Sequence, residues 1–417
     1  MAPGGSGVGR DGPSVAVVGG SIGGLISALV LRDAGCDVQV FERSTTRLEG
    51  RGAGIVLHPV TVRYLEAVRS LDLERVAARA SVLRYVTRDG GVLLEEEVRY
   101  LFTYYATLYA ALLERLDPER YHLGSECVGL EQGPGRVLVR MADGSSPSFD
   151  LVVGADGIHS TVRTLLFHGI EPAYAGYVGW RGTLPEEDLP ETATSLPGAL
   201  TYFVAPGTHM LSYPIPAIEL GGSARLANWV WYRNVAEGGP LEDLMTDPSG
   251  VRHDMSLPAG SVRPEHVVAL RDAARDVLPP AFADLVAASP EPFVQVIVDI
   301  GVPRMASGRV CVLGDAAFAL RPHIAAGTAK AAADAHALGE AIVSNAGDVP
   351  RALAAWEPRQ RELGRRALER SRRVGTAVQT QGTYRPGDPQ MAFGLFSPGD
   401  QNFSRLAPAA GADDGRD

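Results

Sequence analysis

Residues 15–42 read Val-Ala-Val-Val-Gly-Gly-Ser-Ile-Gly-Gly-Leu-Ile-Ser-Ala-Leu-Val-Leu-Arg-Asp-Ala-Gly-Cys-Asp-Val-Gln-Val-Phe-Glu. A β-branched run, Val15 to Val18, enters a glycine turn, a helix-compatible segment follows to about Ala34, and a second apolar run ends on Glu42. Each part matches one step in binding a dinucleotide. Gly19 permits the tight turn, position 21 sets how closely backbone approaches a pyrophosphate, and Gly24 lets helix and strand pack. Ile22 opens a helix whose N-terminal N–H groups and positive dipole end suit phosphates. Glu42 stands close to the ~20-residue spacing expected of an acid that bonds the adenosine ribose. The middle glycine is replaced by Ser21, which crowds that approach but brings a hydroxyl of its own. This stretch alone leaves open which dinucleotide binds.

Working outward, 417 residues exceed one ordinary core and predict two joined domains. The hydrophobic content of 45% is that of a globular protein, and the net charge of −10 argues against a nucleic-acid partner. Lys330 is the only lysine, so the basic charge is otherwise arginine. Cys36, Cys127 and Cys311 are far apart, lack metal spacing and read as buried thiols, with no metal site expected. The apolar segment at 15–30 is broken by glycines and followed by Arg32 and Asp33, so it is no membrane span. Residues 1–13 lack a signal core and read, with the tail from 404 to 417, as flexible. A cytoplasmic enzyme fits this composition, and homo-oligomerisation is left open.

Gly50-Arg51-Gly52-Ala53-Gly54 forms a glycine-rich bend before Ile55-Val56-Leu57, and Pro59 suits the first turn of a helix. Residues 82–97 predict a hairpin about Asp89-Gly90-Gly91, and 107–116 show helical spacing. Strands are expected at 136–141 and 149–153, before Gly154-Ala155-Asp156-Gly157. Residues 173–300 are strand-like and rich in aromatics, with turns at 205–207 and 219–222 and helical patterns at 263–288. Past 300, Val310–Leu313 reads as a buried strand ending in Gly314-Asp315; Pro322, Ala326, Gly327 and Thr328 lead into an Ala-rich helix, followed by a basic helix over 350–374.

Three pieces thus stand in order: the fingerprint at 19–24, Asp156-Gly157, and Gly314-Asp315 with Pro322 and Asp334 spaced after it. Over roughly residues 14–400 the chain resembles the flavin-dependent aromatic hydroxylases of the p-hydroxybenzoate hydroxylase fold, the group A monooxygenases. The resemblance implies an α/β fold in which a Rossmann-like FAD-binding domain of the GR2 type (14–81, 99–172 and 301–400) carries an inserted, mostly antiparallel sheet domain for substrate (82–98 and 173–300). It implies FAD, NADH or NADPH as co-substrate, and hydroxylation of a small aromatic ring with O₂ through a flavin C4a-hydroperoxide. Gly-Gly-Ser-Ile at 19–22, Tyr-Ala-Gly-Tyr at 174–177, Trp-Arg-Gly at 180–182, Arg-Pro-His at 321–323 and Ala-Phe-Gly-Leu at 392–395 are similar to the 2,6-dihydroxypyridine hydroxylase branch. That points to a hydroxypyridine or other hydroxylated heteroaromatic, whether in catabolism or natural-product tailoring.

The resemblance assigns FAD contact to Gly19, Ser21, Ile22, Gly24, Glu42, Asp156, Asp315, Ala326, Gly327 and Thr328. Arg43, Arg51 and the backbone at Leu108 are further candidates beside plain surface or core roles. His323 and His58 are candidate proton-transfer groups. Tyr202, His209, Tyr213, Trp231 and Pro322 are candidate substrate contacts, with core packing as the alternative for the aromatics. The chain departs from the family where Tyr104-Tyr105 replaces an arginine and Phe318 a histidine. Rival readings are an oxidase or dehydrogenase, a halogenase on the same fold, and a non-catalytic flavin-binding partner. Trp229-Val-Trp231 continues Tyr-Arg-Asn rather than the halogenase pattern, and Lys330 lies in the wrong segment for a halogenase lysine.

Overall fold

Strand Ser14–Val18 (β1) is buried along Val15 to Val18, and this continuous apolar run is what a parallel strand needs when helices cover both sheet faces. The computed structural model describes residues 12–48, 53–67, 73–217 and 224–405. Arg51, the turn at 219–222, and the outer parts of both tails (1–11 and 406–417) lie outside the described residues.

After β1 come α1 (Ile22–Asp33) and β2 (Asp37–Phe41). The chain then crosses to a second sheet for β3 (Gly54–Val56), passes α2 (Pro59–Ala67) and α3 (Leu73–Val76), and adds the hairpin β4 (Ala78–Val86) and β5 (Val92–Tyr104). Helix α4 (Tyr105–Leu113) leads back to β6 (Tyr121–His122). A small antiparallel sheet follows, β7 (Cys127–Gln132), β8 (Val137–Met141) and β9 (Ser148–Phe149), before β10 (Leu151–Gly154) and α5 (Thr161–Leu166). The second sheet then gains β11 (Ala173–Pro185), β12 (Ala199–Ala205), β13 (Thr208–Pro216) and β14 (Arg225–Asn234). It is completed, around α6 (Gly239–Leu244), α7 (Pro264–Val277) and α8 (Pro280–Ala288), by β15 (Ser256–Leu257) and β16 (Phe293–Asp299). The last part contributes β17 (Ala306–Ser307), β18 (Val310–Val312), α9 (Gly327–Ser344) and α10 (Val349–Gln379).

The first sheet has strand order β17-β18-β10-β1-β2-β6 and is parallel except at β17. Helix α1 packs on α9 so tightly that a Cβ on Gly339 would stand 2.7 Å from Val30. The second sheet has the order β15-β16-β11-β14-β13-β12-β4-β5-β3 and is antiparallel except where β4 meets β12. It takes more of the early chain than the expected 82–98. Gly54 to Val56 pair with Tyr104 to Phe102, and Ala78 pairs with Phe102, because no turn residue interrupts β5 before Tyr104. The strands expected at 136–141 and 149–153 also part company: β8 joins the small sheet, whereas β10 pairs with β1.

Alternation gives the second sheet two different faces. Val178, Trp180, Phe203, Trp229 and Trp231 pack with Leu270, Phe282 and Leu285 of α7 and α8. Tyr177, Tyr202, Tyr213 and Tyr232 point to the opposite side, with Phe102 and Phe393. Among the described residues no helix is long and apolar enough to cross a membrane.

Lys330 and Asp334, one turn apart on α9, are fully buried and paired with each other. Burial pulls the lysine down and pushes the carboxyl up, and the pairing opposes both shifts. Replacing Lys330 with Met strands the carboxylate, and breaking such a pair costs about 3–5 kcal/mol. Urea unfolding should show a loss of that order for Lys330→Met, partly recovered when Asp334→Asn removes the remaining charge. An unchanged midpoint in the single variant would show that the pair carries no such constraint.

Candidate functional site

The loops after β1, β10 and β18 open into one cleft of about 590 Å³, whose far wall is the tyrosine face of the nine-stranded sheet. β1 has β2 on one side and β10 on the other, and open α/β sheets bind ligands beyond such a reversal of strand order.

The turn after β1 is a cradle without space for side chains. Gly19 holds φ +103°, and a Cβ there would stand 2.5 Å from the Ala155 carbonyl oxygen. A Cβ on Gly24 would stand 1.8 Å from the Gly19 carbonyl, so this glycine lets α1 seat on its own turn. Ser21 precedes α1 but does not cap it; its hydroxyl bonds that of Tyr105 at 2.8 Å. Tyr105 is one of the two tyrosines that replace the family arginine. Tyr121 donates to the Gly20 carbonyl at 3.0 Å and meets the Tyr109 hydroxyl at 3.0 Å.

Glu42 is buried at the end of β2. One carboxylate oxygen accepts the Gly20 N–H at 2.8 Å and the other the Ser44 N–H at 2.9 Å. Glu42, exposed Arg43 and Ile22 line the cleft. Asp156 also lines it, and its carboxylate accepts from the Ser160 hydroxyl at 2.5 Å and the Val162 N–H at 3.0 Å. Burial pushes that carboxyl up, and the two bonds oppose the rise.

Asp315 opens onto the cleft at the end of β18, yet the protein around its other sides pushes its carboxyl up to about 6. The cleft's solvent tempers that effect. Asp334 accepts the Gly314 N–H at 3.1 Å, which fixes the loop that carries Asp315. Opposite stands the N-terminus of α9, where a Cβ on Gly327 would come 3.9 Å from the Asp315 carboxylate. Pro322, Ala326, Gly327 and Thr328 all line the cleft.

Several expected site residues lie elsewhere. Leu108 is fully buried in the core on α4 and does not line the cleft. His58 is buried with Nδ1 accepting the Val60 N–H at 3.0 Å and Nε2 3.1 Å from Asp400, whose carboxylate also takes the N–H groups of Leu395, Phe396 and Ser397. It therefore ties a C-terminal turn in place. Trp231 points to the helix face and donates to the Thr208 hydroxyl at 2.6 Å; its neighbour Tyr232 is the one that lines the cleft.

His323, His209 and Tyr202 form a buried stack behind the wall rather than part of it. Tyr202 lies over His209 at 5.4 Å, His209 over His323 at 5.4 Å, and Tyr232 stands 4.7 Å from His323. The Tyr177 hydroxyl meets His323 Nε2 at 2.8 Å. Of the expected substrate contacts, Tyr213 and Pro322 do line the cleft, and Tyr213 donates to the Gly54 carbonyl at 3.1 Å.

Sequence reasoning missed Arg181, Tyr232, Gln295, Ile297 and Phe393, all of which line the cleft. Alternation along β11 and β14 carried the signal for the first two: once Trp180 and Trp231 face the helices, Arg181 and Tyr232 must face the other way. Phe393 arrives from a C-terminal segment of irregular structure, and the string Ala-Phe-Gly-Leu at 392–395 that contains it carried no local pattern to place it at the cleft.

A family model described as FAD binding domain-like matches residues 174–299. A 2,6-dihydroxypyridine 3-monooxygenase of Paenarthrobacter nicotinovorans is 42% identical over 387 residues, covering 91% of this chain and 95% of that one. A 3-amino-4-hydroxybenzoate 2-monooxygenase of Streptomyces platensis is 32% identical, over 86% of this chain and 87% of its own. Among solved structures, the 2,6-dihydroxypyridine-3-hydroxylase from Arthrobacter nicotinovorans superposes with a TM-score of 0.87 at 40% identity, covering 93% of this chain and 98% of that one.

The buried histidines make stability depend on pH. Burial holds His209 down at about 3 and His323 well below its ordinary value, so both stay neutral when folded. The unfolded chain takes up those protons near the usual value of ~6.5. Their contribution is thus complete above about pH 6.5 and is lost as pH falls towards 3, at up to ~1.4 kcal/mol per pH unit for each histidine. The melting temperature should fall across that window, and His209→Phe should flatten the slope. An equally steep slope in the variant would assign the acid sensitivity to other groups.

Proposed function

The chain belongs to the FAD-dependent aromatic monooxygenases, and we propose that it hydroxylates a hydroxypyridine or a comparable hydroxylated heteroaromatic ring. FAD is its cofactor, NADH or NADPH its co-substrate, and an aromatic ring and O₂ its substrates. When bound, FAD supplies the redox chemistry, accepting hydride from the nicotinamide and passing one oxygen atom of O₂ to the ring. One observation carries the reading: a tight glycine turn at a helix N-terminus and a tyrosine-lined sheet wall share a single cleft.

The cradle fits the ADP half of FAD. Gly19, Ser21, Ile22 and Gly24 bring backbone and the N-terminus of α1 to the pyrophosphate. Glu42, already held by two N–H groups, keeps further lone pairs for the ribose hydroxyls, with Arg43 at the rim. Asp156 takes an indirect part, fixing the loop against which Gly19 turns. Asp315, Ala326, Gly327 and Thr328 surround the flavin end, where the dipole of α9 favours negative charge on the reduced ring.

Tyr213, Tyr232, Ile297, Pro322 and Phe393 flank the substrate ring, orient it and keep water away from the reacting atoms. His323 and His58 do not reach the ring in this reading, since neither lines the cleft. A cytoplasmic setting agrees with three free, buried cysteines, and the net charge of −10 speaks against nucleic-acid binding.

NAD(P)H consumption by FAD-loaded protein should rise with hydroxypyridines and pyridones, with product gaining one oxygen atom. Stimulation by benzenoid phenols alone would overturn the heteroaromatic assignment. A product that has lost two hydrogens instead would replace hydroxylation by oxidation.

A further inference from the structure

Arg181 is the one charged side chain that the described strands of the nine-stranded sheet contribute to the cleft. It sits in the middle of β11, opposite Val230 of β14 and Phe293 of β16, with 8% of its surface exposed. Among the described residues no carboxylate lies within ion-pair reach of it, in contrast to Arg321 and Arg372, which share Asp299 on the neighbouring strand. Its Nε has no hydrogen-bond partner. The guanidinium lies close enough to Tyr213 to oppose the upward push of burial on its hydroxyl, which donates its proton to the Gly54 carbonyl.

A buried cation without a counter-charge is costly unless something completes it. What it lacks is an acceptor carrying negative charge. The tyrosines of this wall can donate, but an uncharged ring would leave the guanidinium uncompensated. We propose that Arg181 binds a ring-bound oxyanion of the substrate, so that a hydroxypyridine is taken up in its deprotonated form. This rests on the cleft being the hydroxylation site proposed above. Binding then releases the hydroxyl proton to solvent. The bound ring is the electron-rich anion that electrophilic hydroxylation requires, and its orientation is set by one fixed oxygen.

The test uses the full-length, FAD-loaded protein and reads ligand binding from perturbation of flavin absorbance. For 2,6-dihydroxypyridine, Arg181→Met should weaken binding by ~10- to 100-fold, the range for a hydrogen bond to a charged group. Pyridine, which has no ring oxygen, should bind both forms alike. Wild-type affinity should rise with pH as the ligand ionises, and that rise should vanish in the Met variant. If Arg181→Met does not fold, Arg181→Lys serves: it should weaken binding less and keep the pH dependence. Equal weakening for pyridine, unchanged binding of the oxyanion, or a folded variant that merely loses FAD would each overturn the assignment. Should no hydroxypyridine perturb the wild-type flavin, the substrate class fails separately. The role of Arg181 is then read with 4-nitrophenolate against nitrobenzene, where no preference for the anion would reject it.

Discussion

The buried pair of Lys330 and Asp334 is the constraint on which the Asp315 end of the cleft depends. Its carboxylate has two tasks: one oxygen meets the lysine and the other accepts the Gly314 N–H at 3.1 Å. The Asp334 backbone carbonyl accepts from the Trp356 indole at 2.9 Å, so α10 is tied to the same turn. A single residue thereby joins the end of β18, the first turns of α9 and the outer helix. Buried ion pairs are weak evidence for net stability, because desolvation offsets most of their attraction, but an unpaired member is heavily penalised. The pair therefore acts mainly by excluding other registers of α9 against β18. Asp315 and Gly327 face each other because of that register.

The end of the cleft at the glycine turn after β1 is built on the same logic with different groups. Glu42 spends a carboxylate on two backbone N–H groups, and the hydroxyls of Tyr121 and Tyr105 hold the turn from the other side. Ser21 and Tyr105 depart together from the usual pattern, and their 2.8 Å contact gives the reason: the serine that crowds the turn finds its partner in the tyrosine that replaces an arginine. A cradle held this way is organised before its ligand arrives, which lowers the ordering cost of binding.

Much of this was legible because it is local. Strand, glycine turn, helix and acid follow one another within residues 15–42, and the later motifs each sit at a strand end. The candidates that lie away from the cleft share a different cause. His58, His323 and His209 carry suitable chemistry, but their positions depend on contacts across the chain, such as His58 with Asp400 and His323 with Tyr177. No local pattern encodes those. Leu108 shows the converse, a core residue on a helix whose first residue, Tyr105, is the one that lines the cleft. Trp231 and Arg181 are different again, since period-two alternation was available and decided both.

That alternation also explains why the sheet has a chemical side and a silent one. On the helix face the large polar aromatics are satisfied: Trp229 donates to Ser289 at 2.7 Å and Trp231 to Thr208 at 2.6 Å, with the Thr201 hydroxyl the exception. Gly182 makes room there, since a Cβ would stand 2.6 Å from the Trp229 ring. On the cleft face the Arg181 Nε keeps a donor without a partner. The string Trp180-Arg181-Gly182 therefore places three demands on consecutive residues: apolar bulk towards the helices, a cation towards the cleft, and no side chain where an indole must pass. The sheet's polarity thus follows what each face meets: packed helices on one side and an open cleft on the other.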